Sequence, residues 1–183
     1  MNSHCGAVVR AGICAITLVL GIVGSSQAAR AEDESAHKLA LKLGVFLPAD
    51  STFRSINGDT WFATGIDYNP GLRYRPLGGV MHVGSDAAFR SSGNVVSITG
   101  KIVWPLTPKM GTRFWGAFGA GGYFINTNTI AGFATPGVKF SFGANITERW
   151  FFEADYDYVS GFTDNAGNGQ RADGVTVSIG FRL

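Results

Sequence analysis

Val175-Thr-Val-Ser-Ile-Gly-Phe-Arg-Leu183 alternates between apolar and polar-or-small positions without a break. Side chains of a strand alternate faces, so Val175, Val177, Ile179, Phe181 and Leu183 line one side of a ribbon. Thr176, Ser178, Gly180 and Arg182 line the other. The same pattern recurs upstream. Leu39–Leu47 sets its leucines and Val45 against Ala40, Lys42, Gly44 and Phe46, and Pro48 ends it. Thr60–Tyr68 sets Phe62, Thr64, Ile66 and Tyr68 against Trp61, Ala63, Gly65 and Asp67, before the turn signal Asn69-Pro70-Gly71. Val80–Arg90 sets Met81, Val83, Ala87 and Phe89 against His82, Gly84, Asp86, Ala88 and Arg90.

Four more segments follow the rule. Val95–Trp104 opposes Val96, Ile98, Ile102 and Trp104 to Val95, Ser97, Thr99 and Lys101. Thr112–Phe124 opposes Phe114, Phe118, Ala120 and Phe124 to Trp115, Ala117, Gly119, Gly121 and Tyr123. Val138–Ile146 opposes Val138, Phe140, Phe142, Ala144 and Ile146 to Lys139, Ser141, Gly143 and Asn145. Trp150–Val159 opposes Trp150, Phe152, Ala154, Tyr156 and Tyr158 to Glu153, Asp155 and Asp157. Eight segments of about ten residues predict an all-β, eight-stranded antiparallel up-and-down barrel, since closure removes the exposed edges of so apolar a sheet. No sustained helical period and no tandem repeat is present.

The charges sort to one face. Lys42, Asp67, His82, Asp86, Arg90, Lys101, Lys139, Glu153, Asp155, Asp157 and Arg182 all share the polar side, and the apolar side carries essentially none. A charge on the lipid face of a transmembrane barrel costs roughly 2–4 kcal/mol at the midplane, so this sorting points to lipid outside and charges inside. Tyr68, Trp104, Trp150 and Phe181 fall at one end of their strands, and Phe62, Phe89, Phe124 and Tyr158 at the other. Those positions match two aromatic girdles. Eight strands leave an interior that side chains fill, so inward glycines make room for long partners. Lys42, Asp67, His82, Asp86, Lys101, Lys139, Glu153, Asp155, Asp157 and Arg182 are therefore expected to form a structural, salt-bridged plug rather than line a pore.

Met1–Ala31 reads as an export signal, with Arg10 in the n-region, an apolar run Ala11–Val23 and an Ala29-Arg-Ala31 cleavage site. The barrel domain is then 32–183, roughly 150 residues and one domain. Both cysteines, Cys5 and Cys14, lie in the signal, which leaves the mature chain without disulfides or thiolate metal ligands. The signal also holds Arg10 and Arg30, so the remaining cations equal the 13 Asp and Glu. A neutral mature chain argues for no nucleic-acid partner. Charged residues make up 15% of the chain, against the ~25% of soluble domains.

The alternation, Phe114-Trp-Gly-Ala-Phe-Gly-Ala-Gly-Gly-Tyr-Phe124, Phe152-Glu-Ala-Asp-Tyr156 and the closing Val177-Ser-Ile-Gly-Phe-Arg-Leu183 resemble the small outer-membrane β-barrels of Gram-negative-type bacteria, of the OmpX and OmpA transmembrane-domain type. The resemblance implies a monomer in the outer membrane of the cell envelope, surrounded by outer-membrane lipids and lipopolysaccharide. It also implies delivery there by the barrel-assembly machinery. The chain departs from the family in ending on Leu183, with the aromatic at Phe181. Asn69–Gly79 is long for a periplasmic turn and Ser91–Asn94 short for an external loop. The chain stops at its last strand, so no peptidoglycan-binding domain is expected to follow.

Hidden chemistry finds little support. Ser85, near His82, has the opposite parity, and Asp86 lies about 13 Å further along the strand at ~3.4 Å per residue. Some barrels of this size act on lipid A, but the local His-x-Ser pair of the lipid A deacylases is absent. Glu153, Asp155 and Asp157 could serve as acid and base or bind calcium, yet four lumenal cations offer them partners. Gly116–Gly122 lacks the lysine and strand–turn–helix context of a phosphate loop. Asn145-Ile-Thr147 matches a glycosylation sequon but sits in a strand. No enzyme, cofactor or metal is expected, and the external segments Pro48–Asp59, Ile125–Thr135 and Ser160–Asp173 are expected to carry surface interactions. The competing readings are a lipid A enzyme and a secreted lipocalin-like carrier, in which the apolar face would point inward.

Overall fold

A computed structural model describes residues 38–74, 79–106 and 113–183. The segment expected to be an export signal, with its two cysteines, and the lead 32–37 lie outside the described residues. The elements run β1 Leu39–Pro48, α1 Ser51–Asn57, β2 Trp61–Tyr68, β3 Arg73–Tyr74, β4 Gly79–Arg90, β5 Gly93–Pro105, β6 Arg113–Thr127, β7 Ile130–Asn145, β8 Trp150–Val159, β9 Phe162–Thr163, β10 Gly169–Gln170 and β11 Gly174–Arg182. β1, β2, β4, β5, β6, β7, β8 and β11 pair antiparallel in that order, and β11 pairs back to β1. The barrel is closed, with eight strands.

Register follows the alternation. Leu41 faces Phe181 and Leu43 faces Ile179, while Lys42 faces Gly180. A slip of one residue would turn every lysine outward, so the apolar face fixes the pairing. The outer wall consists of exposed large apolar side chains, among them Leu43, Phe62, Ile66, Val83, Ile98, Phe140, Phe142, Phe152 and Val177. The girdle residues Tyr68, Trp150, Phe62, Phe89, Phe124 and Tyr158 are exposed on it too. Cross-strand aromatic pairs knit the wall: Trp150 meets Phe181 at 4.9 Å, and Phe118 meets Phe140 at 5.1 Å.

The lumen is stratified. At the loop end Phe46, Phe53, Trp61, Ala63, Val95, Tyr123, Ile125, Ile130, Val159 and Phe162 form an apolar cluster. At the end where the chain enters β1 and leaves β11, Ala40, Val103, Trp115, Ala117 and Phe151 form another. Charges fill the space between. Glycine is needed where large rings cross a neighbouring strand. A Cβ on Gly143 would lie 2.1 Å from the Trp115 ring, and one on Gly180 would lie 2.1 Å from Phe151.

Four connections differ from the sequence expectation. The segment Ile125–Thr135 is not a loop: β6 runs to Thr127 and β7 starts at Ile130, leaving Asn128 and Thr129 as the turn. Its Asn and Thr residues read as loop-like, but Ile125 and Thr127 keep the inward parity of β6, and a register shift beside them turns Ile130 of β7 inward as well; the three roof the lumen, which pays for ordering the extra ladder. The segment Pro48–Asp59 contains α1, too short to show a period. Asp50 Oδ1 accepts from Phe53 N at 2.7 Å to cap it, and Gly58, at φ +98°, ends it. Ser160–Asp173 contains the small β9–β10 hairpin. The long connection after β2 is mostly hairpin: Asn69 Oδ1 accepts from Gly71 N, and β3 then rejoins β4, Tyr74 facing Gly79.

Candidate functional site

Three lysines and five carboxylates meet at mid-barrel. Lys42 comes from β1, Asp67 from β2, Asp86 from β4, Lys101 from β5, Lys139 from β7, and Glu153, Asp155 and Asp157 from β8. Each is inward because it shares the parity of its strand's glycines and small residues. Lys42 Nζ lies 2.8 Å from Asp86 Oδ1, 3.4 Å from both Asp67 Oδ2 and Glu153 Oε2, and 3.9 Å from Asp155 Oδ2. Lys101 Nζ donates to Asp67 Oδ2 at 2.7 Å and to Glu153 Oε1 at 2.8 Å. Lys139 Nζ donates to Asp86 Oδ2 at 2.7 Å and lies 3.3 Å from Asp157 Oδ1. Tyr123 Oη donates to Asp157 Oδ1 at 2.6 Å. In so narrow a lumen such pairs hold only because every charge has an opposite neighbour.

Two of the ten expected plug residues stand apart. His82, opposite Lys101 across the β4–β5 ladder, lines a small vestibule at the terminal end. Arg182 donates to Asn145 Oδ1 at 2.7 Å and lies over the Phe151 ring at 4.7 Å. It belongs to the layer that closes that end, not to the central network. Tyr123 is the network member that sequence reading missed, although its inward parity opposite Ser97 was available.

The loop end is sealed by a lid. Phe53 of α1, wholly buried, stacks on Trp61 at 5.7 Å and meets Phe162 edge-on at 6.4 Å. A chain of side-chain amides joins the two longest loops. Asn57 Nδ2 donates to Gln170 Oε1 at 3.3 Å, Gln170 Nε2 donates to Asp164 Oδ2 at 2.6 Å, and Asn168 Nδ2 donates to the same oxygen at 3.1 Å. The shorter turns tie in through Ser92 Oγ to Asn57 O and Asn165 N to Thr129 O. The bonds from Asn168, Ala166 and Gln170 hold the Asp164 carboxyl below the usual carboxylate range. Asp173 behaves oppositely. Burial pushes its carboxyl up, against the Val159 N–H bond at 2.8 Å and Arg171 at 3.0 Å.

Chemically, this arrangement binds its own charges. Asp86 has both oxygens engaged by lysines, and Asp157 serves Lys139 and Tyr123. Ser85 is exposed on the outer wall, away from His82. Among the described residues, no group of three or more His, Cys, Asp or Glu is placed to hold a metal ion. The vestibule and a cavity under the lid each have about 30 Å³ of room, enough for about two waters. The charged layer separates them. No protein-family model matches the chain, and no curated protein matches it.

Proposed function

We propose that the chain is an integral outer-membrane β-barrel with a structural or surface-interaction role, neither a general porin nor an enzyme. The observation that carries this reading is the polarity of the wall: exposed Leu, Ile, Val and Phe outside, and buried lysines and carboxylates inside. In water such a wall would be a contiguous apolar patch far larger than soluble monomers present, whereas in lipid it is the required surface. A lipocalin-like carrier needs an apolar cavity, and the middle of this lumen is ionic. The central ion pairs and the lid support a closed barrel. Surface contacts fall to the outer side of the lid and to the tall β6–β7 hairpin, not to long mobile loops.

Two substitutions at one position test the reading. Phe142→Arg places a cation on the wall, where Phe142 now stacks on Phe114 at 5.8 Å, and folded barrel in lipid vesicles should fall by roughly 2–4 kcal/mol. Phe142→Ser at the same site should cost less. The wild-type protein should require detergent for extraction from membranes and show no steady conductance in planar bilayers. Release of the folded protein into buffer without detergent, with Phe142→Arg harmless, would sink the proposal.

A further inference from the structure

The chain contains two Asn-Gly pairs, Asn57-Gly58 and Asn168-Gly169, and both asparagines belong to the amide chain that fastens the lid. Asn-Gly is the dipeptide in which glycine, lacking a Cβ, leaves its own amide nitrogen least hindered. The structure treats the two pairs differently. Each asparagine amide donates to a neighbour, but Asn57 is buried and Gly58 N already donates to Arg54 O at 2.8 Å. The Arg90 guanidinium packs directly on Gly58. Asn168 is exposed, Gly169 is exposed, and nothing lies within 4 Å of the Cβ position of Gly169.

We propose that Asn168 is a deamidation site whose reaction unfastens the lid, and that the fold protects Asn57 from the same chemistry. Gly169 N attacks Asn168 Cγ and forms an N–Cγ bond. The Cγ–Nδ2 bond breaks, and the nitrogen leaves as ammonia with the proton from Gly169 N. Water then opens the succinimide at either carbonyl, giving aspartate or isoaspartate. The net change is asparagine plus water to an acid plus ammonia, and no oxidant or cofactor is involved. The only co-reactant is water, and the site faces it.

The position of the product makes the change consequential. Asn168 Nδ2 donates to Asp164 Oδ2 at 3.1 Å, so the reaction replaces a donor with a carboxylate against a carboxylate. Asp164 Oδ2 also accepts from Gln170, which holds Asn57 and through it α1. Like charges at that separation repel, and the link from the β9–β10 hairpin to the lid helix is strained at its anchor. The Phe53 contacts then close the lid without their polar fastening. This inference does not depend on what surrounds the outer wall.

The test incubates the folded full-length protein in detergent micelles at mildly alkaline pH and maps deamidation by peptide mass spectrometry. A urea-unfolded sample runs beside it. Folded protein should react at Asn168 and spare Asn57; unfolded protein should react at both. Unreacted Asn168 in the folded sample, or equal reaction at both sites, overturns the site assignment. Separately, Asn168→Asp is compared with wild type for limited proteolysis within 160–173. Cleavage should be about tenfold faster, since cleavage samples the open lid and opening is tenfold more populated for each ~1.4 kcal/mol lost. Equal cleavage of Asn168→Asp and wild type, both retaining heat-modifiable migration, overturns the unfastening.

Discussion

Lys42 is the centre of the charged layer, and replacing it with Met tests whether that layer holds the barrel together. Met keeps an unbranched chain of similar length but removes the ammonium that faces four carboxylates between 2.8 and 3.9 Å. After the change Asp86 retains Lys139 at 2.7 Å, and Asp67 and Glu153 retain Lys101 at 2.7 and 2.8 Å. Asp155, almost fully buried, is left with Lys139 at 3.8 Å. Breaking a buried pair costs about 3–5 kcal/mol. Because three of the four partners keep a second lysine at 2.8 Å or closer, a loss near the lower end, about 3 kcal/mol, is expected. That is a large share of the 5–15 kcal/mol typical of a domain.

Urea titration of the barrel in detergent or lipid, followed by tryptophan fluorescence, reads the loss as a lower midpoint at unchanged slope. Adding Asp155→Asn to Lys42→Met neutralises the buried carboxylate that the first change leaves with the most distant partner. The double variant should be more stable than the sum of the two single changes predicts. Arg54→Ala serves as the control. Its pair with Asp59 spans 3.8 Å between exposed side chains and should be worth less than about 1 kcal/mol. A Lys42→Met barrel that unfolds within about 0.5 kcal/mol of wild type would refute the reasoning, because the layer would then be carrying no cohesion.

Gly143→Val should destabilise the barrel by about 1–3 kcal/mol in the same titration, since its Cβ would sit on the Trp115 ring; the outward Ala144→Val should not. Phe53→Ala empties the wedge between Trp61 and Phe162 and should cost up to about 3–5 kcal/mol if the lid is coupled to the barrel. If the lid opens alone, faster proteolysis of 48–60 should appear with the urea midpoint unchanged. Asp164 predicts a pH dependence of the lid. Its carboxyl is held below the ordinary value near 3.9, so the folded lid gains above that value. The gain is lost as pH falls through the depressed folded value. Hydrogen exchange of Ala166 and Asn168 amides, corrected for intrinsic rates, should therefore show protection that is steady near neutrality and collapses in strong acid. Asp164→Asn should flatten that dependence, and protection that rises as pH falls would contradict it.

Alternation alone determined the eight barrel strands, their parity and the list of inward charges, because a two-residue period is a local property and lipid or lumen can enforce it at every step. Leu41, Leu43 and Val45 face outward and Lys42 inward for the same reason that Phe181 and Ile179 oppose them. What the tertiary structure decided is the partner each inward residue meets. Lys42 and Asp86 are 44 positions apart, and Lys101 and Glu153 are 52 apart. Which of them touch depends on strand stagger and on how eight tilted strands close, and no local pattern encodes that. The same holds at the rim. Ile125 and Ile130 read as parts of a loop, and only the lumen beneath gives them something to bury against. Phe53, in a helix of seven residues, shows no period and is fixed only by Trp61 and Phe162. Asn57, Asp164 and Gln170 read as loop polarity, and they became a fastening when the loops that carry them were brought to one end of the barrel.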